Sequence, residues 1–197
     1  MHPSIALLVD LVDEAFDHAA WHGPTLYGSL KGVTAGQAAW RPGRGRHSIR
    51  EITIHAAYWK HAVTKRLTGE TRWLFPLEGA NWFDAARSRS WKEDLRLLAD
   101  EHRQLRKAIA AYPARVLRKP VDRRKQSAEF TIRGIAAHDL YHAGQIQLLK
   151  KLQGGRREGS KAGIQGRGQE GRKVRQKGKA ERQGRKALDY CLPALQP

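Results

Sequence analysis

One cysteine, Cys191, is all the thiol this chain carries. A single thiol closes no intrachain disulfide and builds no thiolate metal cluster, and a reducing, cytoplasmic setting is the simple expectation. Acidic side chains are scarce too, 19 against 37 lysines and arginines in 197 residues, for a formal charge of +18. Long apolar runs are missing. The opening stretch Met-His-Pro-Ser-Ile-Ala-Leu-Leu-Val-Asp has no basic start and its apolar run stops at Asp10, so neither a signal peptide nor a membrane span is expected. No segment alternates apolar and polar residues over a useful length, which argues against half-buried strands and for an all-α chain.

The charge is unevenly spread. Residues 1–152 hold 25 basic and 15 acidic side chains, a net of +10, whereas residues 153–197 hold 12 and 4, a net of +8. From Gln153 to Lys186 the chain is almost wholly Gly, Arg, Lys, Gln, Glu, Ser and Ala. Such a composition buries too little apolar surface to offset chain entropy. We therefore expect one domain over 1–152 and a disordered, low-complexity basic tail over 153–197.

Four amphipathic segments can be read in the domain. Ser4 can cap the first, whose stripe of Ile5, Leu8, Val12, Ala15 and Ala19 runs to Gly23-Pro24. Ser48 and Glu51 form a capping box for the second, with Ile49, Ile52, Ala56, Trp59, Val63 and Leu67 inward and Gly69 as the stop. Ser90 and Glu93 do the same for the third, which carries Leu95, Leu98, His102, Leu105 and Ile109 and ends at Pro113. Thr131 is the expected cap of the fourth, with Ile135, His138, His142, Gln145, Leu149 and Leu152 on its stripe and a stop at Gly154-Gly155. Four such helices make a four-helix bundle. The links 23–47 and 70–89 are long enough for crossover connections, and a short helical turn is expected near Thr34.

His138 and His142 occupy seam positions where Leu or Ile would ordinarily stand, and at i and i+4 they share one helical face. Burying two imidazoles there is unfavourable by a few kcal/mol unless a metal or a polar network satisfies them. His55 flanks the stripe of the second helix and can supply a third imidazole, a set that leaves coordination positions open. His-Asp-Leu-Tyr-His has Asp139 where zinc proteases place a general-base glutamate, but the aspartate is shorter and their downstream ligand is missing. For Asp139 a packing or solvent-facing carboxylate, or a partner orienting a ligand imidazole, is expected. Gln145 is the better pocket residue. His102 can be a fourth ligand, a partner to a ligand, or a buried neutral imidazole bonded to a carbonyl, and the last is favoured. His22 reads as the end of the first helix. His18, His47 and His61 read as surface residues.

The run from Trp40-Arg-Pro through Ile52-Thr-Ile-His55, followed far downstream by His138-Asp-Leu-Tyr-His142-Ala-Gly-Gln, resembles the DinB-like superfamily over roughly residues 4 to 152. That resemblance implies a bundle in up-down-down-up order and a divalent metal on His55, His138 and His142. It also implies a metal-dependent thiol S-transferase, using a low-molecular-weight thiol, or a hydrolase acting on a small-molecule substrate, and a homodimer. Imidazole ligation alone does not choose among Zn²⁺, Ni²⁺ and Fe²⁺. A non-catalytic dimeric metal-binding bundle is the competing expectation. The tail has no counterpart in the family pattern. It can associate weakly with nucleic acid through Arg156-Arg157, Arg172-Lys173 and Lys177-Gly-Lys179, serve as a solubilising extension, or be a shifted-frame addition.

Overall fold

A computed structural model describes residues 1–70, 72–79, 81–83, 89–121 and 125–165, with 155–165 as backbone alone. Among the described residues six α-helices follow one another: α1 (Pro3–Phe16), α2 (Leu26–Ser29), α3 (Ala35–Ala39), α4 (Ile49–Thr68), α5 (Trp91–Ala111) and α6 (Ala128–Gln165). Among the described residues there is no sheet, only an isolated bridge between Pro120 and Ser127. The four long helices close a ring in which α4 packs against α5 and α6, and α1 packs against the same two. None of the described helices is long and apolar enough to cross a membrane.

Both capping boxes form. Ser48 Oγ accepts the Glu51 amide while the Glu51 carboxylate accepts the Ser48 amide, and Ser90 and Glu93 repeat the arrangement. Gly69 ends α4 at φ 72°, the left-handed cap that a glycine adopts without a Cβ penalty. The short turn near Thr34 is α3, again with a capping box.

Local chemistry moves four other boundaries. His2, not Ser4, caps α1, because its ring nitrogen accepts the Ser4 amide and Pro3 fits the first helical position. The helix stops at Phe16 rather than near Gly23, since the amides of Asp17 and His18 both fold back onto the Asp13 carbonyl. His22 therefore lies exposed in a link and ends no helix. At α6 the cap is Ser127, whose hydroxyl accepts the Phe130 amide, and Thr131 already lies inside the helix. The stop expected at Gly154-Gly155 is not taken. Two helical glycines weaken a helix by about 1 kcal/mol each, and the Lys, Leu, Gln and Arg around them are good helix formers. The tail beyond Gln165 lies outside the described residues.

The apolar interior falls into two clusters. One joins Ile5, Leu8 and Val12 of α1 to Leu105, Ile109, Ile132 and Ile135. The other gathers Phe16, Leu26, Ile49, Ile52, Leu97, Leu98 and Ile146. Along each long helix the buried polar residues stand at the transition: Asp13 in α1, Lys60 and His61 in α4, Glu101 and His102 in α5, Asp139 and His142 in α6.

Two of these correct the expectations above, and for Asp139 one of the open readings holds. Asp139 is the packing carboxylate, neither facing solvent nor bonding a ligand imidazole; it is fully buried and paired with the equally buried Lys60. Burial pushes its carboxyl up to about 6 against the pull of Lys60. His61 is buried, not superficial, with Nδ1 3.4 Å from Glu101 Oε1 and its ring at the edge of Trp73. His102 is buried and stacked on Phe16, and the group beside it is the Asp13 carboxylate at 3.4 Å rather than a carbonyl. His18 is exposed as expected, whereas His47 is half-buried against Trp82.

Candidate metal centre

His55 faces inward from α4, one turn before Trp59, and His138 and His142 face it from α6. The structure brings the three together. His138 Nε2 lies 3.1 Å from His55 Nε2 and 3.0 Å from His142 Nε2. The three candidate ligand atoms all lie within 4.8 Å of one another. Of the nine histidines, these alone among the described residues form such a cluster with two others or with carboxylates.

Hydrogen bonds set the proton positions on two of the rings. A carbonyl oxygen only accepts, so His55 Nδ1 must donate to the Asn81 carbonyl at 2.8 Å. His142 Nδ1 donates to Gln145 Oε1 at 2.7 Å. In each neutral ring the proton therefore sits on Nδ1, and Nε2 presents a lone pair to the shared centre. Burial, the dominant cause in each case, pushes His55 and His142 down to about 4 and His138 down to about 2. All three imidazoles are neutral at pH 7.

Lone pairs of two rings thus meet a third ring that has at most one proton to offer them. His138 Nδ1 is also buried without a hydrogen-bond partner among the described residues. At least one of the two short contacts therefore lacks a proton, and a cation placed among the nitrogens would satisfy them all. The cluster fits a divalent metal, and imidazole donors suit Zn²⁺, Ni²⁺ or Fe²⁺ alike.

The segment 81–83 forms one wall. Asn81 holds φ at 67°, a left-handed backbone that asparagine tolerates better than most residues. That turn aims its carbonyl at His55 and its side-chain oxygen at Trp59 Nε1, 3.0 Å away. Trp82 lies flat between two imidazoles, 3.5 Å from the His47 ring and 3.9 Å from the His55 ring. On the other side the Tyr141 ring meets His142 edge-on at 5.1 Å. Reading the sequence missed Asn81, Trp82 and His47, which sit outside any helical period. The one available signal was an aromatic-rich link too long for a simple turn.

A search of curated proteins finds no match to this chain. A family model described as the DinB superfamily matches residues 18–146. That span includes all three clustered histidines and the segment that packs against them. Together with the all-helical bundle it places the chain in the DinB superfamily, to which it belongs.

Proposed function

We propose that this protein is a metal-dependent enzyme in which His55, His138 and His142 hold one divalent ion, Zn²⁺, Ni²⁺ or Fe²⁺, and leave coordination positions open to a small-molecule substrate. The observation that carries this reading is the convergence of three neutral imidazoles, with His138 Nε2 3.1 Å from His55 Nε2 and 3.0 Å from His142 Nε2. When bound, such an ion supplies Lewis-acid chemistry that draws the pKa of a water or thiol toward neutrality. The protein's own residues do the positioning. Asn81 and Gln145 hold the protons of His55 and His142 on the outer nitrogens, and Trp82 keeps the His55 ring from turning. Two reaction types suit a site of this kind: transfer of a low-molecular-weight thiol to an electrophile, and hydrolysis.

Elemental analysis of protein purified without chelator tests the reading first. One equivalent of a transition metal per chain, lost in His142→Ala, supports it; wild-type protein without metal overturns it. Turnover then separates an enzyme from a metal-stabilised bundle without chemistry. Thiol conjugation and ester or amide hydrolysis, each measured with and without metal, are the reactions to screen. For the tail, deletion of residues 166–197 is expected to leave metal content unchanged and to abolish retention on DNA at low salt if Arg172-Lys173 and their neighbours serve nucleic acid.

A further inference from the structure

A cavity of about 520 Å³ lies at the surface between α5 and α2. That volume falls within the usual range for small-molecule sites. Six residues of α5 line it: Lys92, Leu95, Arg96, Ala99, Asp100 and Arg103. Their spacing alternates threes and ones, so all six share one face of the helix. Tyr27 of α2 completes the lining. None of the three clustered histidines takes part, and neither does Trp82.

The lining is graded along the helix. Lys92 and Arg96, one turn apart, are exposed and have no ion pair or side-chain hydrogen bond among the described residues. Leu95, Ala99 and Tyr27 are half-buried and make an apolar stretch. The Tyr27 ring packs on Phe16 at 5.3 Å between centroids, and Phe16 stacks on His102, so this part of the wall is fixed by the core. Asp100 is the one acidic residue of the lining and is paired with Arg103. At 1.5 Å per residue, Lys92 and Asp100 stand about 12 Å apart along the axis.

Two unpaired cations call for an oxyanion. A bare anion is repelled by Asp100, and a plain fatty acid has no donor to offer it. The ligand that satisfies the whole groove carries an oxyanion at one end, a flat apolar body, and N–H donors at the other end. We propose that the groove binds a nucleoside monophosphate. The phosphate lies between Lys92 and Arg96, held by charge-assisted hydrogen bonds. The base lies against Tyr27, Leu95 and Ala99, since any base has a face that stacks on an aromatic ring. Its N–H edge donates to the Asp100 carboxylate, as base amino groups do to acidic side chains, and Arg103 holds that carboxylate in place. This site stands apart from the metal centre and does not depend on it.

Calorimetric titration of the full chain at physiological salt tests it, with the 5′-monophosphates of adenosine, guanosine and cytidine, adenosine itself, and inorganic phosphate as probes. At least one nucleotide is expected to bind with a Kd of about 1 mM or below. Adenosine and phosphate should each bind at least about 10-fold more weakly, because each reaches only one end of the groove. Arg96→Glu should weaken the nucleotide by about 10-fold or more. Arg118→Glu makes the same change of charge outside the groove, at a side chain 91% exposed, and should leave binding within a few-fold. Asp100→Ala separates contact with the base from attraction of charge alone. It removes a negative charge, so a groove that merely attracts anions would bind the nucleotide more tightly, whereas loss of the acceptor should weaken it by about 5-fold or more. All three positions are exposed or half-exposed, and the variants should keep wild-type helicity by circular dichroism. Absence of nucleotide binding overturns the proposal. So does binding that survives Arg96→Glu, falls equally with Arg118→Glu or tightens with Asp100→Ala, and so does phosphate bound as tightly as any nucleotide.

Discussion

The backbone carbonyl of Asn81 accepts the Nδ1 proton of His55, from a residue held at a left-handed φ of 67°. The strained residue and the imidazole it orients belong to different elements, and the bond between them makes the link after α4 part of the site. Because the acceptor is a backbone atom, the side chain matters to His55 through the conformation it tolerates, its own hydrogen bond being to Trp59. Asn81→Gly should retain metal affinity within a few-fold. Asn81→Val, β-branched and poorly suited to positive φ, should lower it about 10-fold or more, the usual effect of losing a partner that orients a metal-binding histidine. Competition against a chromogenic chelator measures both.

Gln145 plays the equivalent part for His142 through its side chain. Gln145→Leu removes the acceptor and frees the ring to turn or shift its proton, with an expected 10- to 100-fold loss of metal affinity. Gln145→Glu keeps an acceptor and should retain most of it. Equal loss in both variants would show that the contact is packing alone.

The Lys60–Asp139 pair lies wholly in the interior. Removing one partner strands the other charge, so Lys60→Met should destabilise the fold by about 3–5 kcal/mol. Adding Asp139→Leu should recover most of that loss, because an apolar pair of similar volume needs no compensation. Urea unfolding of metal-free protein reads both, and a single variant within 1 kcal/mol of wild type would contradict the burial seen here.

Stability should fall in mild acid. Burial pushes His102 down to about 2, with Lys60 and Arg106 adding to the effect and Asp13 the carboxylate facing it. The unfolded chain binds a proton at this residue below about pH 6.5 while the folded chain does not. The stabilisation is complete above 6.5 and is lost progressively as pH drops toward the folded value. His55, His138 and His142 shift in the same direction and steepen the loss. His102→Leu should reduce the slope of unfolding free energy by about 1.4 kcal/mol per pH unit between pH 6 and 4.5. An unchanged slope would mean that His102 is protonated in the native state.

The sequence revealed what short-range chemistry determines. Ser48 with Glu51 and Ser90 with Glu93 mark the starts of α4 and α5 because a capping box closes within four residues, and Gly69 marks an end for the same reason. His138 and His142 were legible as a pair because four residues is one helical turn. His55 was legible through its place on the stripe and through family likeness. Lys60, His61 and Asp139 were not, because each is buried by a partner on another helix, some forty or eighty residues away. A lysine on an amphipathic helix reads as surface until its counter-charge is located. The end of α1 was obscured because Ala19 and Ala20 prolong the apolar pattern after the backbone has turned away at Asp17.

The charged layer between the two apolar clusters also works as an alignment gauge. Leucines and isoleucines pack nearly as well after a helix slides by one turn, about 5.4 Å, but an ion pair and a cluster of ring nitrogens do not survive that displacement. Lys60 and His55 ride on α4, while Asp139, His138 and His142 ride on α6. Any slip that separated the nitrogens would also uncouple the buried charges, so the chain keeps its three imidazoles in step before any ion arrives.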